Sequence, residues 1–434
     1  MEPSKAGNGP GRPFRAWLAD TDVQVERSRL QRQLILDALP GSAVAYGPRG
    51  ADGSGGEGEP LYLYRQKRIL VRDKDVDRVR AVLRLGADRN QGDDALIDGV
   101  TALAVDDAVA ALATLDAALG SGVARPDHVL YVTPMDHCPA TEPVPAVHDD
   151  PDPDVRHDAS ATGAGVLVAV VDTGFISSLV DQRHPWLEGV TGDEEAYDAG
   201  DIGPYVGHGT FIAGVVRCVA PLAQVHVEGF LDLGGAIFES DFVRQLDEAL
   251  QTMPDVVSLS AGCTSHDDLP PLAIEALYEK RLRHMKGTVL VCAAGNDGTR
   301  RPFWPAASPW TVSVGALDRD GTRAGFSNFG SWVDVYALGC DLVNAYPDGT
   351  YAYKEPPAVT NGEKAEFTNG MAQWSGTSFA TPLFAGMIAA RMSRNGQSAR
   401  QAADSLLRIA RAHAQPGIGP VAETDMIGDV DPGH

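Results

Sequence analysis

Cysteine is scarce and poorly placed for pairing. Five occur in 434 residues, at positions 138, 218, 263, 292 and 340. The number is odd, the spacings are wide and no Cys-x-x-Cys pair exists. That argues against a disulfide framework or a cysteine zinc site and fits thiols kept reduced in a cytosol. Long apolar runs are missing too. No uncharged stretch reaches the roughly 18 residues of a spanning helix. Met1 to Trp17, rich in Gly, Pro and charge, lacks the apolar core of a secretory signal, so a cytoplasmic protein is expected. Positive charge is also in deficit: 36 Lys and Arg against 59 Asp and Glu leave a net charge of −23. This balance speaks against nucleic-acid binding and against adhesion to anionic membranes. What is present, 44% hydrophobic residues, is ordinary for a globular chain with a sizeable core. The length suits one large domain and a smaller one.

The first 59 residues read as a disordered and partly helical segment. Apolar residues at helical spacing, among them Val23, Leu30 and Leu34, predict a helix over 23–39 that Pro40 stops. The glycine-rich stretch 41–60 reads as a flexible linker. Residues 60–133 predict a small α+β unit, with strands at Leu61–Val71, Gly99–Val105 and His128–Val132, helices between them, and room for a further strand near 86–97. Residues 134–160, rich in proline and aspartate, read as a linker. From 161 to 415 the pattern changes to α/β alternation. The unbroken apolar run Gly165–Val171 is a strand covered on both faces, and similar runs follow at Gln224–Glu228, Asp255–Ser260, Thr288–Ala293 and Thr311–Val314. A doubly wound, mostly parallel sheet is expected, with any active site at the carboxyl ends of its strands. Residues 416–434 read as a tail.

Three short motifs carry the chemistry. Asp172 follows the first apolar strand in Val170-Val171-Asp172-Thr173-Gly174. His208 opens a helix in Gly207-His208-Gly209-Thr210, and Ser378 opens another in Gly376-Thr377-Ser378-Phe379-Ala380-Thr381-Pro382. Pro382 is placed in the first helical turn, where its missing N–H is not needed. A serine hydroxyl becomes a nucleophile when an imidazole accepts its proton, and the imidazole needs a carboxylate to fix its tautomer. The charge developing on the attacked carbonyl then needs fixed donors. Asn296, in Ala293-Ala294-Gly295-Asn296 after a strand, offers its side-chain amide, and the Ser378 backbone N–H is a second donor. Singly, each residue has a plainer use, as turn former, core histidine or helix cap. Together, in the order Asp, His, Asn, Ser, they converge on one chemistry.

Residues 163–411 resemble the subtilisin family of serine peptidases, through VVDTG at 170–174, GHGTFIAG at 207–214, SLSAG at 258–262, AAGN at 293–296, FSNFG at 326–330 and GTSFATP at 376–382. The resemblance implies Asp172, His208 and Ser378 as catalytic triad and Asn296 as oxyanion donor. It implies a peptide or protein substrate held as an added strand between segments that include Gly234 and Gly235 on one side and Ser258, Leu259 and Ser260 on the other. It also places Asp297 on the solvated rim of the pocket for the side chain before the scissile bond. The unit at 60–133 resembles in layout the family's propeptide, an inhibitor and folding aid. The sequence departs from the family at Ser260-Ala261, where two glycines are usual, and at Phe379, where methionine is usual. No metal ligands and no cofactor are assigned. Two other uses of such a chain are an intracellular leader peptidase or transpeptidase acting on one dedicated peptide, and a peptide-binding module without turnover.

Overall fold

A computed structural model describes residues 21–47, 58–85, 94–132, 142–231, 234–354 and 362–431. The expectation of disorder over 1–20 lies outside these residues. The described residues begin with helix α1 (Thr21–Ala38), followed by β1 (Ser42–Tyr46), β2 (Pro60–Arg72), α2 (Val76–Leu83), β3 (Asp94–Ile97), β4 (Val100–Ala104), α3 (Ala108–Leu119) and β5 (Ala124–Tyr131). The stretch 41–60 is therefore not linker throughout. Ser42–Tyr46 pairs antiparallel with β2, because its alternating small and apolar residues can lie on a sheet face.

A second unit follows. It contains β6 (Val144–Pro145), β7 (Leu167–Asp172), β8 (Thr191–Gly192), α4 (His208–Val219), β9 (Gln224–Gly229), β10 (Ala236–Phe238), α5 (Glu239–Ala249), β11 (Val256–Leu259), α6 (Leu272–Lys280), β12 (Val289–Ala293), β13 (Val312–Leu317) and β14 (Val335–Leu338). Shorter strands β15 (Leu342–Ala345), β16 (Gly349–Ala352), β17 (Lys364–Phe367) and β18 (Met371–Trp374) precede helices α7 (Thr377–Asn395) and α8 (Ala399–Ala412). Among the described residues, seven strands form one parallel sheet in the order β14-β13-β12-β11-β7-β9-β8. The chain moves outward from β7 to β9 on one side, then returns to lay β11 to β14 on the other. The strand order thus reverses between β7 and β11, and a crevice opens at their carboxyl ends. Asp172 ends β7 and Ser260 follows β11.

The unbroken Val and Leu runs of β7, β11 and β12 are buried on both faces, as a covered parallel sheet requires. On one face α4, α7 and α8 bury their apolar residues together with Trp186, Leu342 and Phe367. On the other, α5 and α6 pack under β7, β11 and β12. The stretch read as linker is fastened to this unit: Val144 and Pro145 pair with β18, and Asp152 bridges Val343. The final residues are fastened too, with Val421 and Ile427 buried and Asp431 paired to Arg408.

The N-terminal sheet has the order β10-β5-β2-β4-β3, with β1 added to β2. Its members include β10, a strand of the second unit, which pairs antiparallel with β5. One face is covered by α2 and α3 through Val79, Leu112 and Leu115. The other face presents Leu63, Leu70 and Val100 to Phe242, Leu246 and Leu277 of α5 and α6. Buried polar bonds key this contact. Asp127 accepts from Ser240 N and Oγ at 2.9 and 2.8 Å, and His128 Nδ1 meets Glu239 at 2.9 Å.

Candidate active site

The first helical residue of α4 is His208, and Gly207 before it adopts φ 78°, a left-handed turn that a side chain would strain. Gly209 has a different reason: a Cβ there would sit 2.3 Å from the carbonyl oxygen of Gly174. Close approach of the two turns brings His208 Nδ1 to 2.7 Å from Asp172 Oδ1. Asp172 is wholly buried and also accepts from Thr173 N at 2.9 Å. A carboxylate on Nδ1 fixes the tautomer that leaves Nε2 as the acceptor.

Ser378 enters from α7, whose residues from Thr377 to Met392 are buried. His208, Asn296 and Ser378 line one pocket, together with Tyr205, Trp374 and Phe379. His208 and Ser378 make no hydrogen bond to each other in this state. Such links tighten when substrate is bound. The rings of Trp374 and Phe379 each lie 5.2 Å from the His208 ring and wall it on two sides. Asn296 is held by its carbonyl: Oδ1 accepts from Thr377 N and from Thr377 Oγ1, both at 2.9 Å. Its orientation is thereby set, and Nδ2 remains as the donor. A nucleophile, an oriented imidazole and a fixed amide donor around one pocket are sufficient for acyl transfer.

Pro382 requires a correction. It is the sixth residue of α7, past the first turn, so its missing N–H does leave a carbonyl without its helical partner, that of Ser378. Ser260 Oγ donates to that oxygen at 3.2 Å. The serine that departs from the family's glycine therefore supports the backbone of Ser378. Asp297, read as a solvated rim residue, is 5% exposed with the chain's own Tyr131 beside it, and its carboxylate lies close enough to Tyr131 to help push that phenol upward after burial itself. Ser258 and Leu259 are buried in β11, with Leu259 in the core.

The groove expected between the two substrate segments already holds a strand of the chain itself. Val129, Leu130 and Tyr131 pair with Phe238, Ile237 and Ala236. Val132 N donates to Gly235 O at 2.9 Å, and Tyr131 exchanges both backbone bonds with Gly262 at 2.8 and 3.1 Å. Gly234 and Gly235 form the turn that leads into β10, and a Cβ on Gly235 would meet the Tyr205 ring at 2.9 Å. Leu233, just before them, lies outside the described residues.

Two features escaped sequence reasoning. Gln31 and Leu34 of α1 line the catalytic pocket. An amphipathic stripe says that a helix face is covered, not by what. The second is Glu195, whose carboxylate accepts from Gly207 N at 3.0 Å and so braces the turn carrying His208. Burial, and after it the Asp172 charge, push Glu195 up to about 8, while the Gly207 N–H pulls the other way. An unfolded glutamate titrates near 4.5. Between these values the native chain keeps a proton that the unfolded chain has lost. The stability this contributes is complete below pH 4.5 and disappears as the pH rises through 8. In a Ser378→Ala background, Glu195→Gln is therefore expected to gain in melting temperature relative to its parent as pH rises from 5 to 8.5. Parallel melting curves across that range would remove the proton from Glu195.

The family model described as the subtilase family matches residues 163–418, more than half of the chain. The chain belongs to this family. Among curated relatives, the thermophilic serine proteinase of Bacillus sp. (strain AK1) is 32% identical over 266 residues, covering 57% of this chain and 58% of that protein. Subtilisin NAT of Bacillus subtilis subsp. natto is 30% identical over 255 residues, covering 55% and 58%. Thermitase of Thermoactinomyces vulgaris is 32% identical over 252 residues, covering 55% and 78%. The match thus spans little more than half the length of the first two relatives. The subtilase match contains Asp172, His208, Asn296 and Ser378, and begins after α1 and strands β1 to β5. No helix among the described residues is long and apolar enough to cross a membrane.

Proposed function

We propose that this subtilase is a serine endopeptidase. The observation that carries the reading is the buried 2.7 Å bond from Asp172 to His208 in the pocket that Ser378 and Asn296 also line. Ser378 Oγ attacks the scissile carbonyl while His208 Nε2 takes its proton. Asp172 stabilises the resulting imidazolium. Asn296 Nδ2 and Ser378 N donate to the oxyanion. His208 returns the proton to the leaving amine, and water then cleaves the acyl-enzyme by the same route reversed. The substrate peptide takes the place of Val129–Val132, adding a strand between Gly235–Phe238 and Ser260–Gly262. Incubating the purified chain and its Ser378→Ala form with a peptide library, with products read by mass, tests this. Fragments from the native chain alone are expected. Equal products would sink the proposal, and joined peptides would point to transfer in place of hydrolysis.

The same reading makes the N-terminal unit a propeptide. Its support is the position of β5 in the groove, and the fact that Val132 and Glu142 both line the catalytic pocket. A propeptide of this kind is cut from the enzyme in the segment that follows it, here between about Thr133 and Ala159, of which Thr133 to Thr141 lie outside the described residues. Because Val144 and Pro145 are already paired with β18, the expected cut falls between Val132 and Glu142. Intact-mass measurement should find the native chain divided there and Ser378→Ala at full length. A fully active but uncut chain would make the N-terminal unit a permanent accessory domain.

A further inference from the structure

The pocket beside His208 holds a second internal ligand besides β5. Helix α1 precedes the N-terminal sheet in sequence and lies outside the subtilase match, yet it reaches the catalytic residues. Gln31 and Leu34, three apart and so on one helical face, both line the pocket with His208 and Ser378. The contact is built and not incidental. Tyr205 Oη donates to Gln31 Oε1 at 3.0 Å. Arg27, Ser28, Gln31 and Ile35, spaced as one face, are 3%, 4%, 5% and 1% exposed. Ile35 joins the core that contains Leu130 and Tyr131 of β5. The positive charge of Arg27 is felt by the Glu142 carboxyl, which belongs to the chain beyond the expected cut.

The two internal ligands are held differently. The end of β5 is held by backbone bonds to Gly235 and Gly262, whereas α1 enters by side chains, with Gln31 on Tyr205 and Leu34 in the pocket. We infer that α1 is an autoinhibitory element that closes the His208 side of the catalytic pocket, so that α1 and β5 block the site as a two-point intramolecular inhibitor. The inference rests on the peptidase reading. Both blocking segments lie N-terminal to the expected cut and remain on one piece after it. Release of one therefore leaves the other holding at high effective concentration, and the cut by itself does not free the site.

The test measures access to Ser378 in the full chain. A small phosphonofluoridate, which needs no groove, is added to the native chain, to Leu34→Arg and to Gln31→Pro, and labelling of Ser378 is followed by mass. Leu34→Arg puts a charge into the pocket. Gln31→Pro removes a helical N–H and clashes with the preceding turn, so α1 cannot persist across it. Both variants are expected to label at least about tenfold faster than the native chain, as loss of one of two attachment points requires. Native-like labelling in Gln31→Pro overturns the inference and leaves the peptidase reading intact. Absence of labelling in all three, with no peptide cut by any, overturns both.

Discussion

Ser378→Ala and His208→Ala are each expected to lower kcat by roughly 10⁶-fold, a scale that is subtilisin's own and not computed from this site. The reason it should carry over lies in the isolation of the pair. His208 is 2% exposed and its Nδ1 is committed to Asp172, so Nε2 is the proton acceptor at the pocket. Glu195 sits behind His208 on the backbone of Gly207 and cannot replace the imidazole. Removing Ser378 or His208 leaves only the binding groove and the oxyanion donors, and losing both costs little more than losing one. Single-turnover assays on a peptide cut by the native enzyme check this. Retention of more than about a hundredth of native activity in either variant would refute the triad assignment.

Asn296→Ala is expected to fold and to lose roughly 10²–10³ in kcat with little change in KM, again on the scale of subtilisin. Its Oδ1 is tied to Thr377, so the amide is held in place before substrate arrives. A donor held in advance stabilises charge as it develops and adds little to the ground state. The substitution also frees Thr377 N and Oγ1 of their shared acceptor. Asn296→Asp separates the two effects, since it keeps that acceptor and loses the donor. A rise in KM at constant kcat would make Asn296 a ground-state contact.

The candidate catalytic residues stand out in the sequence because chemistry restricts what can stand beside them. Asp172 ends an unbroken apolar strand, Gly209 must lack a side chain for its turn to meet Gly174, and Ser378 starts a helix with small neighbours. Each restriction leaves a mark in the sequence. The central strands β7, β11 and β12 were legible within a few residues for a similar reason, since burial on both faces leaves few polar positions, whereas the edge strands β8 and β14 were not read. Contacts between distant segments leave no such mark. Nothing in Gln31 or Leu34 names the pocket they enter, and nothing in Ser260 says that its hydroxyl would serve the carbonyl released by Pro382. Nor does a turn residue such as Asp297 say that the chain's own Tyr131 lies close to it. The strand over 42–46 was missed because glycine-rich flanks obscured a short pairing segment.

The N-terminal sheet has two apolar faces, and its own helices cover only one. In place, Leu63, Leu70 and Val100 are each 0% exposed against α5 and α6. Separation would wet that face, at about 1.5–3 kcal/mol for each large side chain on it. It would also leave β5 without β10 as its neighbour, a free strand edge of the kind that seeks new partners. The departed piece would therefore have little life of its own: it would unfold, clump, or be digested by the enzyme it had covered. Liberation of the site would then act as a ratchet, since the inhibitor is consumed in leaving and the uncovered enzyme cannot be silenced by the same segment again.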